Sequence, residues 1–433
     1  MATNTLLARG PSVKARVKSI IGGSAGNMVE WYDWFVYSTF MLYFAHAFFP
    51  SGNQAAEFLS AAAVLALGFQ IRPIGAWAMG VYADRKGRKA AFTLSMCLMC
   101  VGSLVIAITP GYRTIGMLGP FLLVSARLLQ AVAIGGEYGI SGVYLSEIAE
   151  QGRRGFYCSF QYVALVSGQF LASLVLLVLQ RLLTNGELSD WGWRIPFAIE
   201  GTLAIAVFCI RRGLPETPSF EKVKAGRILT SSLFDLFRDH AKAAFTVGAL
   251  TAGGTLAFYA YATYLPIFLV DTSGFGRETA TQITAAALLV FMVCQPVAGL
   301  LSDRFGPAPL MIGFGILGLL FTCAIFSTLA MTKSAYAALA LSLAGLFIVT
   351  GYTSINALVK AEMFPAHIRS LGVALPSALA NTIFGGTAQW VALHFRQKGN
   401  ESWFIWYITA VIGLSLIVYV GTRDARRQRI DSK

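Results

Sequence analysis

Apolar runs of about twenty residues recur along almost the whole chain, divided by short polar segments, and strict alternation of apolar and polar positions is absent. Runs of that length predict membrane-spanning helices, because about 20 residues cross a hydrocarbon core while closing every backbone hydrogen bond within the segment. Twelve spans are expected, near 19–46, 56–82, 90–109, 115–142, 157–182, 193–211, 243–270, 280–302, 309–331, 335–358, 371–395 and 402–421. The fold class is therefore an all-α membrane protein.

The polar positions that interrupt these runs carry the functional information. The stretch NMVEWYDWFVY, 27–37, holds Glu30 and Asp33 one turn apart inside the first span. An acidic side chain at the middle of a span costs about 2.5–3.5 kcal/mol on insertion scales, so both need partners. Arg72 in the second span and Arg127 in the fourth are the basic residues near span centres. An ionisable group at that depth points to the bundle interior or a watery pathway. Guanidinium suits a carboxylate because its planar fork can bind both oxygens, which makes Arg72 the first choice for a substrate carboxylate. The alternative is that Arg72, which precedes Pro73, only bonds carbonyls freed by the helix break. Glu137, near the inner end of the fourth span, is a second proton-carrying candidate or else a helix-end hydrogen-bonding group. Gln161, Tyr162 and Gln169 in the fifth span, Tyr259, Tyr261 and Tyr264 in the seventh, Asn356 in the tenth and Asn381 in the eleventh supply further polar atoms. Interhelical hydrogen bonding accounts for most residues of this kind, so two or three of the eight are expected to touch substrate.

Composition agrees with the pattern: mean hydropathy is +0.63, with 56% hydrophobic and 13% charged residues. With the N-terminus placed in the cytoplasm, the inner loops and tails hold 25 Lys and Arg against 7 on the outside. The positive-inside rule thus puts both termini in the cytoplasm. The net charge of +13 follows from that asymmetry and suits an anionic lipid leaflet. No basic and aromatic platform for nucleic acid is evident. The six cysteines are irregularly spaced in or beside spans and read as packing residues, and no metal or cofactor spacing occurs. The first apolar run is too long, and too acidic, for a cleaved signal peptide.

The hydrophilic segment 212–242 divides the chain. It separates a bundle at 19–211 from one at 243–421, with tails at 1–18 and 422–433. GVYADRKG, Gly80 to Gly87, returns as GLLSDRFG, Gly299 to Gly306, 219 residues later. Glu147 with Arg154 returns as Glu362 with Arg369, 215 residues later. Parallel halves of this kind suit a carrier that rocks about a midplane site. Gly80, Asp84, Gly87, Arg88, Glu147, Arg154, Asp303, Arg304, Glu362 and Arg369 are then gating candidates, whose acids and bases pair across helix ends in one state and part in the other. The plainer reading is topogenic charge and tight glycine turns.

The pattern GxxxDxxGRK, at Gly80, Asp84, Gly87, Arg88 and Lys89, resembles the loop signature of the major facilitator superfamily. GNMVEWYDWFVYS, RPIGAWAMG, RLLQAVAIGGEYG, WGWRIPFA and KAEMFPAHIRSLGVAL narrow the resemblance to its metabolite–proton symporter branch. YFAHAFFPSGN and GRRGFYCSFQYVALVSGQFLASLVLLVLQ are most similar to that branch's bacterial carriers of α-ketoglutarate. The resemblance covers about residues 20–419. It implies a six-plus-six helix fold in which the first and fourth spans flank a central cavity, so that Glu30 or Asp33 faces Arg127, as a structural ion pair or as part of substrate or proton coupling. It further implies proton-coupled import of a small dicarboxylate, 2-oxoglutarate (α-ketoglutarate), across a bacterial inner membrane by a monomer without cofactors. The second copy departs from the pattern at GPAP, 306–309, which predicts a weaker lock there. Citrate, shikimate, proline and betaine carriers of the same branch are the alternatives. An enzyme lacks any catalytic constellation here, and a channel does not explain the repeat.

Overall fold

The computed structural model describes residues 13–226 and 231–431, with side chains to 422; the remainder of the N-terminal tail, 227–230 within the linker and the rest of the C-terminal tail lie outside the described residues. Twelve long helical elements follow one another. The first half has α1 (Val13–Phe48), α2 (Gln54–Lys86), α3 (Arg88–Ile108), α4 (Leu118–Ile148), α5 (Arg154–Leu182) and α6 (Arg194–Arg212). The second has α7 (Ala241–Asp271), α8 (Arg277–Phe305), α9 (Pro307–Met331), α10 (Ala335–Ala361), α11 (Arg369–Gln397) and α12 (Glu401–Asp431). Among the described residues there is no strand.

Ten of these helices are long and apolar enough to cross a membrane, or eleven if the bent pair Asn185–Gly192 and Arg194–Arg212 is one span. α1 has 36 residues, ample length, but Asn27, Glu30 and Asp33 lower its apolar character. Burial inside the bundle resolves the conflict: Glu30 is 6% exposed and Asp33 is fully enclosed. The outer faces carry the reverse pattern, with Leu320 and Phe321 on α9 and Trp403, Trp406 and Ile417 on α12 exposed, as a lipid-facing surface requires.

Neighbour relations repeat between the halves. α1 packs on α5, α2 on α4 and α3 on α6, and α7 packs on α11, α8 on α10 and α9 on α12. Across the divide α2 meets α11 and α8 meets α5, again a matched pair. Irregular turns fall where proline removes a backbone donor or where helices bend around the interface. α7 widens at Ala260–Tyr264 before Pro266, α11 widens at Asn381–Gly385 beyond Pro376, and α10 is broken between Thr353 and Asn356. The segment between the halves is more structured than its polarity suggests, with short helices at Pro218–Ala225 and Leu233–Asp239. The six cysteines are all free.

Candidate functional site

The two acids of α1 part company. Asp33 accepts a 2.6 Å hydrogen bond from Arg127 Nη1 on α4, whereas Glu30 accepts none among the described residues and leaves Oε2 without a partner. Arg127 Nη1 also donates to Gln130 Oε1 at 2.8 Å, and its guanidinium lies 4.4 Å from the Tyr37 ring. Gln130 continues the network by donating to Ser103 Oγ and Glu200 Oε1, each at 3.0 Å, and Ser103 donates to Glu200 at 2.5 Å. Asp33, Arg127, Gln130, Ser103 and Glu200 thus join α1, α4, α3 and α6 in one buried polar chain. Asp33 Oδ2, Arg127 Nε and Glu200 Oε2 have no hydrogen-bond partner in it. Sequence reasoning missed Glu200. The signal was available, since WGWRIPFAIEG places an acid within an apolar run by the same logic that singled out Glu30.

Arg72 lies on the neighbouring α2 and shares a cavity of about 10 Å³ with Arg127, between Phe69, Ala131 and Ile134. Its guanidinium stacks 4.0 Å from the Phe69 ring. It makes no ion pair and donates no hydrogen bond among the described residues, so bonding of carbonyls freed at Pro73 is not its role in this geometry. Glu30 and Tyr259 both lie within its electrostatic reach. Two arginines therefore meet at one place, one neutralised by Asp33 and one not.

Around Glu30 the two halves touch through polar and aromatic groups. Tyr138 Oη donates to Asn356 Oδ1 on α10 at 2.7 Å, and Gln161 Nε2 donates to the Tyr138 carbonyl at 2.7 Å. Tyr259 packs against Trp31 and Trp34, and Tyr162 against Phe258. Asn381 accepts from Thr255 at 2.6 Å, and Gln169 Oε1 is buried without a partner. Tyr261 and Tyr264 do not join this group: Tyr261 stacks on Phe326 and Tyr264 donates to Glu401 at 2.5 Å, within the second half.

Glu137 stands apart from the arginine cluster. Both its oxygens bond Arg211, Ser95 donates to it at 2.7 Å, and Arg211 Nε donates to the Gly22 carbonyl at 2.8 Å. A Cβ on Gly26 would collide with this pair, so α1 makes room for it with a bare backbone. Arg211, the last residue of the expected sixth span, is wholly buried at the end of α6. Lys360 is likewise buried although it lies beside a charged loop.

At the end of the bundle bearing the repeated loops, the halves are joined by matched contacts. Asp84 accepts from the Ser370 and Leu371 amides at the start of α11, both at 3.0 Å. Asp303 accepts from the Gly155 and Phe156 amides at the start of α5, at 2.6 and 2.9 Å. Each acid meets the positive end of a helix in the opposite half. The first glycine of each copy permits the approach: a Cβ on Gly80 would lie 2.8 Å from Leu371 Cα, and one on Gly299 would lie 2.6 Å from the Gly155 carbonyl oxygen. Gly87 and Gly306 make the turns at φ +106° and +83°.

The ion pairs at this end are unequal. The Glu147 side chain is 1% exposed between Arg369 Nη1 at 2.7 Å and Arg88 Nε at 3.3 Å, and Arg88 donates to the Ala366 carbonyl at 2.7 Å. Its counterpart Glu362 meets Arg154 at 3.6 Å, with the two side chains 44% and 51% exposed. Pro307 stands where the first copy has Arg88, and among the described residues Arg304 forms no ion pair and lies over the Phe305 ring. Glu216 of the linker accepts from the Arg88 and Lys89 amides, each at 3.1 Å, and so caps α3. Sequence reasoning did not assign it.

The profile of the sugar (and other) transporter family matches residues 19–232 and again 220–423, once for each half. The chain is 49% identical to the alpha-ketoglutarate permease of Escherichia coli (strain K12) over 94% of its length and 93% of that protein's. It is 30% identical to the citrate-proton symporter of Klebsiella pneumoniae, covering 95% and 93%. Among solved structures, the proton:xylose symporter XylE, a major facilitator superfamily protein, superposes with a TM-score of 0.75 at 17% identity, covering 93% of this chain and 95% of that one.

Proposed function

The chain belongs to the sugar (and other) transporter family, with the major facilitator fold, and from that premise we propose that it imports 2-oxoglutarate together with protons by alternating access in a bacterial inner membrane. It is a transporter and not an enzyme. The observation that carries the substrate class is the shared cavity of Arg72 and Arg127, where one guanidinium has its carboxylate and the other does not. The substrate named for the Escherichia coli relative supports the choice among carboxylates.

Arg72 takes the first substrate carboxylate, and the gap near 10 Å³ widens when substrate enters. An anion close to Arg127 competes with Asp33 for it. Asp33 released from its arginine takes the proton, and that competition couples proton to anion. Glu30, buried with Oε2 free of any hydrogen bond, is the second proton carrier. Glu137, doubly bonded to Arg211, acts as a structural pair. Gln161, Tyr162, Tyr259 and Asn356 line the path between the halves, with Gln169 and Asn381 at its margin.

All twelve helices span the bilayer in this reading, with α1 crossing because its acids are enclosed and with the bent entry to α6 forming part of one span. Both termini and the linker at 212–242 face the cytoplasm, by the positive-inside count. The joined loop end is then a closed cytoplasmic gate. The protein acts as a monomer in contact with lipid, and each half moves as one body.

The test is a competition panel in proteoliposomes. Labelled 2-oxoglutarate uptake is driven by an inward proton gradient and challenged with citrate, shikimate, succinate, proline and betaine. Saturable uptake, inhibited most strongly by unlabelled 2-oxoglutarate, is expected. Entry of proline or shikimate without 2-oxoglutarate would overturn the substrate assignment and leave the fold intact.

A further inference from the structure

Lys360 carries a buried amine with no counter-ion among the described residues. It lies in the helical segment Asn356–Ala361 that closes α10, is 1% exposed, and has no hydrogen-bond partner at Nζ. Two rings hold it, Tyr138 of α4 at 5.3 Å and Tyr352 of α10 at 5.4 Å from their centroids. Ring faces attract an ammonium by about 0.5–2 kcal/mol, whereas dehydrating the ion costs several kcal/mol. The rings alone do not balance that cost, and the site lacks an anion.

The surroundings say which kind of anion fits. Asn356 precedes Lys360 by four residues, so the two share one helix face, and Asn356 accepts from the Tyr138 hydroxyl at 2.7 Å. Glu30 lies within electrostatic reach of Tyr138 and also of Arg72. A row of polar groups thus passes through Tyr138, which bonds Asn356 and whose ring centroid lies 5.3 Å from Lys360 Nζ, into the second half. Lys360 is two residues from Glu362, so its end of the row is next to the gate. A Cβ on Gly142 would lie 2.9 Å from Ala357 Cβ, and this close approach keeps α4 against the segment that carries the lysine.

We propose that Lys360 is a carboxylate-binding subsite contributed by the second half, between the central arginines and the gate, which receives one carboxylate of a dicarboxylic acid with the Tyr138 hydroxyl and the Asn356 amide beside it. The inference rests on the dicarboxylate reading above and adds to it the cation that reading lacked in the second half. A diacid gains over a monoacid because its carboxylates engage cations of both halves in turn, Arg72 on one side and Lys360 on the other.

The test compares Lys360→Met, Lys360→Arg and Lys360→Cys with the wild type in proteoliposomes, using 2-oxoglutarate counterflow. The methionine variant is expected to raise KM at least tenfold while Vmax stays within threefold, and the arginine variant to fall between it and the wild type. Treating Lys360→Cys with 2-aminoethyl methanethiosulfonate rebuilds a cationic side chain and is expected to restore affinity, while the neutral ethyl reagent does not. This arm also serves if the methionine variant fails to insert. An unchanged KM in Lys360→Met, or rescue by both reagents alike, would overturn the subsite. If the wild type carries citrate and not 2-oxoglutarate, the substrate assignment fails and the same comparison with citrate decides Lys360. A wild type that carries neither acid overturns both.

Discussion

Asp33 and Arg127 are close enough to neutralise each other and incomplete enough to be disturbed. Each retains a buried polar atom without a partner. Removing one member of a buried pair leaves a dehydrated charge and typically costs about 3–5 kcal/mol. Arg127→Gln is therefore expected to lower the Tm of the purified protein markedly. Asp33→Asn combined with Arg127→Gln should recover most of the loss while proton-driven accumulation stays absent; if the double variant is no more stable than the single one, the pair is not the source of the effect. Arg72 lacks such a partner, so its replacement should spare stability and strike affinity. Arg72→Lys keeps the charge and loses the fork, and uptake at low substrate is expected to fall more than tenfold with insertion and Tm unchanged. The acids and arginines within spans could be read from the sequence because charges stand out against apolar runs. Which of Glu30 and Asp33 meets Arg127 could not, since one helical turn separates them and only the rotation of α1 against α4 decides. Glu200, Arg211 and Lys360 escaped notice for a related reason: each lies where a span borders a loop or another signal drew attention, and burial depends on neighbouring helices.

Among elements, the useful comparison is between the two copies of the loop signature. Asp84 and Asp303 bond the starts of α11 and α5 in the same manner, but the ion pairs beside them differ in depth. Glu147 is enclosed by Arg88 and Arg369, whereas the exposed Glu362–Arg154 pair belongs to a class worth roughly 0–1 kcal/mol. Glu147→Gln should open this end of the bundle, seen as a several-fold loss of cross-linking between cysteines placed across it, and should slow uptake. Glu362→Gln should change either by less than twofold. Equal effects would contradict the asymmetry that Pro307 introduces. Gly80→Ala and Gly299→Ala place a Cβ against backbone of the facing helix and should destabilise the closed end in both cases. Helix extents were legible: the first half's α5, expected at 157–182, is found at Arg154–Leu182. The break of α10 after Thr353 and the bend entering α6 were not, because no proline stands inside either break and tertiary packing sets them.

For the whole molecule the decisive quantity is the number of protons carried with each substrate, and the membrane potential bounds it. Moving one elementary charge through 100 mV is worth roughly 2.3 kcal/mol, so a dianion entering against an inside-negative potential of that size meets about 4.6 kcal/mol before any gradient is built. One proton leaves a net negative charge still opposed. Two make the cycle electroneutral and driven by the pH difference alone, and three add help from the potential. The proposed carriers supply the means: Asp33, which substrate displaces from Arg127, and Glu30, which has no ion pair among the described residues, each take one proton. At least two protons per dianion are therefore expected. Reversal potentials in proteoliposomes, taken with the pH gradient and the voltage varied separately at fixed 2-oxoglutarate gradients, measure the ratio. A ratio of one would mean that a single carboxylate suffices, or that the scarce monoanion is the species carried, which a steep rise of apparent affinity at low pH would reveal. Unchanged coupling in a Glu30→Gln, Asp33→Asn double variant would remove both acids of α1 from the proton path.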